Sequence, residues 1–118
     1  MANELSKYID GTITEVVLDS TVTSIRLYAF ANREMLQSVT LPDTLTSIGA
    51  SAFYWCTSLT SITCLATTPP TLAYNDPSSS SYPFYNVPSN MTVYVPAASV
   101  QAYLYAGWGN LNIQAIPS

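Results

Sequence analysis

Val22-Thr23-Ser24-Ile25, Ala29-Phe30, Leu36 and Val39-Thr40-Leu41 return further along as Leu45-Thr46-Ser47-Ile48, Ala52-Phe53, Leu59 and Ile62-Thr63-Cys64. The steps from Ile25 to Ile48, Ala29 to Ala52, Phe30 to Phe53, Leu36 to Leu59 and Val39 to Ile62 are identical, and every matched position is apolar. A fixed period of about 23 residues marks a solenoid. No single unit can bury its apolar face alone, so each buries it on the next.

Working outward, Ile13 to Asp19 matches Leu36 to Pro42 at the same offset and reads as a half-repeat entering the array. Val16 and Leu18 alternate with Glu15 and Val17, the period-2 pattern of a strand with one buried face. Val39 with Leu41, then Ile62 with Cys64, repeat it. Stacked one unit apart, these strands make a parallel sheet with about 4.8 Å between neighbours. Its outward positions form two columns, Glu15, Ser38, Ser61 and Thr92, then Val17, Thr40, Thr63 and Tyr94. Between strands the chain runs through an arc. Val22 and Ile25, or Leu45 and Ile48, anchor its first part, and Ala29-Phe30 or Ala52-Phe53 its second. The alanine suits a close backbone approach, and the phenylalanine fills the centre of the coil.

The pattern resumes after an interruption. Phe84 precedes Val93 by the same nine positions that separate Phe30 from Val39 and Phe53 from Ile62. The step from Phe53 to Phe84 exceeds the period by eight, so a third unit carries an insertion of that size, placed at about 74–83. The two ends read as lids, which a solenoid needs over its terminal apolar layers. In residues 1–12, Leu5, Tyr8 and Ile9 have the spacing of one helical face. In residues 97–118, Val100, Tyr103 and Leu104 repeat that spacing after Pro96, Gly107 can end the helix, and Asn112-Ile113-Gln114-Ala115 reads as a last strand. The expected architecture is α/β, one domain over residues 1–118. It is a short capped solenoid with a parallel β-sheet, irregular or short-helical arcs, repeats over 13–96, and a C-terminal helix and strand.

Composition narrows the chemistry. Hydrophobic residues are 48% of the 118 and charged residues only 8%, against roughly 25% in ordinary domains. Serine and threonine take up about a quarter of the chain, giving a neutral, hydroxyl-rich surface. Net charge is −4, and Lys7, Arg26 and Arg33 cannot supply the phosphate-binding stripe of a nucleic-acid protein or hold an anionic membrane. No apolar run approaches the ~20 residues of a membrane span, and residues 1–10 lack the pattern of a secretory signal. There is no histidine, which removes the usual general base and every Ser–His or Cys–His pair. Two cysteines without histidine make no zinc site. Cys56 and Cys64 fall at inward positions and read as small buried hydrophobes, although a disulfide between them would close a short loop. No cofactor is expected.

Leu45-Thr46-Ser47-Ile48-Gly49, Ala52-Phe53-Tyr54-Trp55-Cys56 and Leu59-Thr60-Ser61-Ile62 resemble the BspA-like leucine-rich repeat, also called the Treponema pallidum type. Ala66 to Leu72, Val93 to Tyr103 and Gly107-Trp108 resemble the closing segment of such proteins from gut bacteria and their phages. Departures are Arg33 where Cys56 stands, Met35 before Leu36, and a first unit without proline near Asp19. The resemblance implies a leucine-rich-repeat solenoid and a non-enzymatic surface protein. The first expectation is a phage virion surface protein that binds a host surface protein or glycan, or another virion protein. A second is a bacterial cell-surface adhesin module. A third, from a different class, is a glycan-acting enzyme using carboxylates such as Asp43 and Asp76 near the insertion. Few repeats and exposed aromatics are also compatible with self-association.

Candidate contact residues come from two places. The insertion supplies Tyr74, Asn75 and Tyr82, in a mixture of tyrosine, serine and asparagine like that of antibody contact loops. Tyr54 and Trp55 form the other group. Asn32 matches Trp55 in the preceding unit, and a position that accepts asparagine is expected to be exposed. Tyr94 is added from the outward face of the sheet. The bland alternatives are a solvated sheet, an unselected loop, and a tryptophan packed on the neighbouring arc.

Overall fold

The computed structural model describes residues 13–74 and 76–117. The expected N-terminal lid at 1–12 lies outside them. Among the described residues there are eight strands: β1 (Glu15–Val17), β2 (Ser24–Ile25), β3 (Ser38–Leu41), β4 (Ser47–Ile48), β5 (Ser61–Cys64), β6 (Thr71–Leu72), β7 (Thr92–Val95) and β8 (Asn112–Ala115). A 3₁₀ turn (Ala97–Ser99) leads into the helix α1 (Val100–Tyr105) between β7 and β8. The long strands form one parallel sheet in the order β1-β3-β5-β7-β8. The two-residue strands form a second, in the order β2-β4-β6. The molecule is a solenoid of stacked coils closed by a helix and a strand.

The register follows the repeat. Val16 pairs with Val39, Val39 with Ile62, Ile62 with Val93, and Val93 with Ile113. The outward columns are Glu15, Ser38, Ser61 and Thr92, now joined by Asn112, and Val17, Thr40, Thr63 and Tyr94, joined by Gln114. Inward residues of β3, β5 and β7 are buried while outward ones are half-exposed. Ser47 pairs with Thr71, a step one longer than the period, whereas Ser61 pairs with Thr92, a step eight longer. One of the eight extra residues therefore falls between β5 and β6, in the segment that carries Pro69-Pro70. The other seven lie between β6 and Phe84.

The arcs hold their backbone by turns. Ala29 N–H donates to Arg26 O and Ala31 N–H to Tyr28 O; Ala52, Tyr54 and Cys56 donate to Gly49, Ser51 and Phe53 in the same way. Every other amide goes to the next coil: Phe30 to Ala52 O, Asn32 to Tyr54 O, Phe53 to Pro83 O, Trp55 to Tyr85 O. So the arc leaves few main-chain donors unpaired, as a buried segment must. The winding needs left-handed backbone at Tyr28, Asn32, Ser51, Trp55 and Asn86, with φ from 55° to 63°. It also places Ala29 and Ala52 against the interior, where both are buried.

Phe30, Phe53 and Phe84 stack down the centre as expected, with centroids 5.3 and 5.4 Å apart and planes within 8°. The C-terminal lid continues the axis. Trp108 lies 5.5 Å from Phe84, and Tyr103 lies 5.3 Å from Trp108. Tyr103 points inward, but Leu104 is 39% exposed, so α1 turns a narrower apolar face than its spacing suggested. Gly107 ends the helix at φ 84°.

The coils approach closely at Gly49. A Cβ there would meet Leu27 N at 2.7 Å and Arg26 C at 2.8 Å, both backbone atoms of the coil below. Gly49→Ala is expected to lower stability by about 1–3 kcal/mol, the range of overpacking, because neither coil can move a main chain cheaply. Urea denaturation read by circular dichroism checks this.

Cys56 and Cys64 are free and buried, as their inward positions implied. Cys56 Sγ lies 3.0 Å from Phe30 O, and burial pushes its thiol up to about 11. Burial also raises Cys64, Tyr82 and Tyr103; the neighbouring Cys64 adds to the rise at Tyr103. All four are neutral when protonated, and the folded state holds the proton more tightly than the unfolded one. For Cys56 the contribution is therefore complete below the unfolded value of 9.0 and is lost as pH climbs towards about 11. Stability should fall over that interval, by on the order of 2 kcal/mol from Cys56 alone. Urea midpoints at stepped alkaline pH test it, and at neutral pH neither thiol should react with a thiol reagent until the chain unfolds.

Candidate interaction surface

The arcs bring a strip of aromatic rings to the outside. Tyr54 stands at its centre, with Tyr85 stacked on it at 5.7 Å and 13°. Tyr28 meets Tyr54 edge-on at 6.4 Å, and Trp55 lies 6.0 Å away, tilted by 46°. Tyr28 is 57% exposed and Trp55 43%, while Tyr54 and Tyr85 are half-buried. The strip crosses three coils because Tyr85 follows Phe84 as Tyr54 follows Phe53.

The backbone beneath Trp55 is unusual for its side chain. Trp55 has φ 58°, and its counterparts Asn32 and Asn86 have 63° and 62°. Asparagine enters this left-handed region readily; a bulky residue is disfavoured there by about 1 kcal/mol or more. Tyr28, at the repeat position that Ser51 holds in the next coil, is also left-handed at φ 59°. Two large aromatics thus occupy strained exposed sites.

The six sequence-chosen residues do not form one site. Tyr54 and Trp55 come together, and Trp55 is exposed rather than packed away. Tyr74 is 50% exposed at the start of the insertion. Tyr94 is half-buried on the outer sheet face, between Thr63 on β5 and Gln114 on β8. Asn75 lies outside the described residues. Tyr82, expected as a contact residue in the loop, does not project into solvent: it is only 2% exposed. It occupies the third-coil place of Ser51, packs edge-on against Phe84 at 5.8 Å, and accepts a hydrogen bond from Asn110 Nδ2 at 2.8 Å. Burial follows because the ring lies between Phe84 of the core and Asn110 of the lid.

The rest of the insertion is tied down. Asp76 Oδ1 accepts from Ser78 N at 3.0 Å and Ser78 Oγ at 2.7 Å. Ser51 Oγ donates to Ser80 O at 2.9 Å, and Ser51 N to Ser81 O. The Ser78 hydrogen bonds hold the Asp76 carboxyl below its ordinary value. That is the wrong direction for a general acid, which needs a raised carboxyl. Asp43 is an exposed turn residue. Among the described residues no group of three or more His, Cys, Asp and Glu could hold a metal ion, and no helix is long and apolar enough to cross a membrane.

Residues 6–79 match the model of the BspA type leucine rich repeat region in six copies, which is well over half of the chain. The protein belongs to the BspA-type leucine-rich-repeat family. No curated protein sequence matches it. The BspA-type match ends inside the insertion, whereas the ladder carries on through β7 and β8. Repeats of the BspA type suggest an interaction or adhesion module, are typically surface-associated, and are generally non-enzymatic. In this BspA-type chain the repeated coil geometry fixes where the aromatic strip lies but not which residues fill it.

Tyr28 and Tyr85 were missed by sequence reasoning. The signal for Tyr85 was available, since it follows the third phenylalanine. For Tyr28 there was none, because its match in the next coil is Ser51.

Proposed function

We propose that the protein is a non-enzymatic binding module that holds a partner on a surface through the strip of Tyr28, Tyr54, Trp55 and Tyr85. The observation carrying this is Trp55. It keeps a large ring partly in solvent on backbone that suits asparagine, a burden that the fold itself does not need. Strain of this kind gathers at functional positions, and tryptophan and tyrosine dominate the energetic centres of interfaces. The strip is uncharged, so its partner is held by apolar contact rather than by ion pairs. A virion surface is the first setting, with a host surface protein or glycan, or another virion protein, as the partner; a bacterial cell-surface adhesin module is the second.

Trp55→Asn separates folding from binding. The variant should be as stable as the parent or more so, by up to about 1 kcal/mol, since asparagine suits the backbone. Its binding to intact host cells, read by flow cytometry with labelled protein, should drop at least about tenfold. Undiminished binding would dismiss the strip. Immunodetection in purified particles against washed cell envelopes distinguishes the two settings.

A further inference from the structure

A second feature stands apart from the strip. A cleft of about 230 Å³ opens between the insertion and the C-terminal lid. Its base is Tyr82, Phe84 and Met91, all nearly buried. Pro77 of the insertion, Val87, Pro88 and Leu111 wall it. Ser89, Asn110 and Asn112 bring hydroxyl and amide groups to it. None of the lining residues is charged. Burial raises the Tyr82 phenol above its ordinary value, so it keeps its proton.

The polar groups are partly committed and partly open. Asn110 gives its Nδ2 to the Tyr82 hydroxyl, and no hydrogen bond among the described residues takes up its side-chain oxygen. Tyr82 accepts that bond and keeps its own proton to donate. Asn112 is fixed by Thr92 Oγ1 at 3.2 Å and Gln114 Nε2 at 2.9 Å. An acceptor and a donor therefore stand side by side in the lining of an apolar floor, held there by the hydrogen bond between them.

We propose that this cleft takes one neutral sugar ring, the exposed terminal unit of a glycan. The volume lies below that of sites for drug-sized ligands, which begin at about 300 Å³, and this fits a single ring. A pyranose has apolar C–H faces for the proline, valine and leucine walls, and hydroxyls that both donate and accept. A charged ligand would find no counter-charge and would lose hydration without return. The inference rests on the reading of the protein as a binding module, and it names a ligand class at a place separate from the aromatic strip. Pro77, one of the extra residues of the third coil, forms part of one wall, which gives the insertion a task beyond lengthening a loop.

The test is a nitrogen-15 amide NMR titration of the full chain with glucose, galactose, mannose and N-acetylglucosamine, alongside glucuronic acid and glucosamine as charged controls. At least one neutral sugar should shift the Asn110 side-chain amide and the Val87, Met91 and Leu111 backbone signals, with Kd on the order of 1 mM, as expected for so small a ligand. The charged controls should not. Asn110→Ala removes the open acceptor at an exposed position and should weaken binding about tenfold; Ser89→Tyr fills the cleft from its rim and should abolish it. Trp55→Asn should leave it unchanged, so loss of cleft binding and loss of the strip's function are told apart. No shift with any neutral sugar would overturn the proposal, as would shifts that survive both cleft variants, or cleft shifts produced by a proline-rich peptide alone.

Discussion

Phe53→Ala should lower stability by about 3–5 kcal/mol, the usual cost of emptying a phenylalanine site in a core. Phe53 has no exposed surface and is the only ring of the axis stacked on a phenylalanine both above and below, at 5.3 and 5.4 Å. Its neighbours are held by backbone hydrogen bonds running from coil to coil, so the arcs cannot collapse into the space. Marginal domains have about 5–15 kcal/mol in total, so the variant should sit close to its unfolding midpoint at room temperature. Phe53→Leu should retain most of the buried area and lose much less. A urea series on the three proteins checks the order. Phe30→Ala should be milder, because among the described residues Phe30 stacks on Phe53 alone.

Trp108→Ala should be at least as damaging, for a different reason. Trp108 is fully buried and joins the lid to the coils at two points, Phe84 and Pro70, while packing on Tyr103 within the lid. Its ring touches Phe84 and Tyr103, and its Nε1 donates to Pro70 O at 2.9 Å. Removing it opens a cavity worth about 3–5 kcal/mol and orphans a buried carbonyl at about 1–3 kcal/mol. The damage should spread along the lid. Tyr103 donates to Ala66 O at 2.6 Å, and Ser99 to Thr67 O at 2.8 Å, so all three side chains hold the Ala66–Pro70 segment. Trp108→Phe keeps most of the ring contacts but loses the donor, and should cost about 1–3 kcal/mol. Denaturation curves followed by tyrosine absorbance, which survives both substitutions, give the numbers. A Trp108→Ala protein within about 1 kcal/mol of the parent would mean that the lid is not docked as described.

The coil was legible because its apolar period is rigid. Val39, Ile62 and Val93 announce the first sheet, and the three phenylalanines announce the axis, since each must land on its copy one unit away. The second sheet was not legible. Strands of two residues, Ser24-Ile25 and Ser47-Ile48, are too short to show an alternation, and their pairing follows only once the first sheet sets the stacking. The left-handed turns were hidden for a related reason: Tyr28, Ser51 and Trp55 are not residues that signal such backbone. Trp55 was found by comparison with Asn32, an argument from exposure that the backbone angle then explained. The burial of Tyr82 was missed because loop composition was weighed above position. The step that leads from Phe53 to Phe84 also leads from Ser51 to Tyr82, which places it at the edge of the core. The cleft could not be seen at all, because Tyr82 and Asn110 are brought together only when the lid folds back over the third coil.

The most direct test of the stacked-coil description is the set of ring-to-ring nuclear Overhauser contacts among the phenylalanines. Phe53 should show contacts to both Phe30 and Phe84, and Phe84 to Trp108, with none between Phe30 and Phe84. A direct Phe30–Phe84 contact, or a Phe53 ring without either partner, would contradict the coil order from which the aromatic strip and the cleft are built.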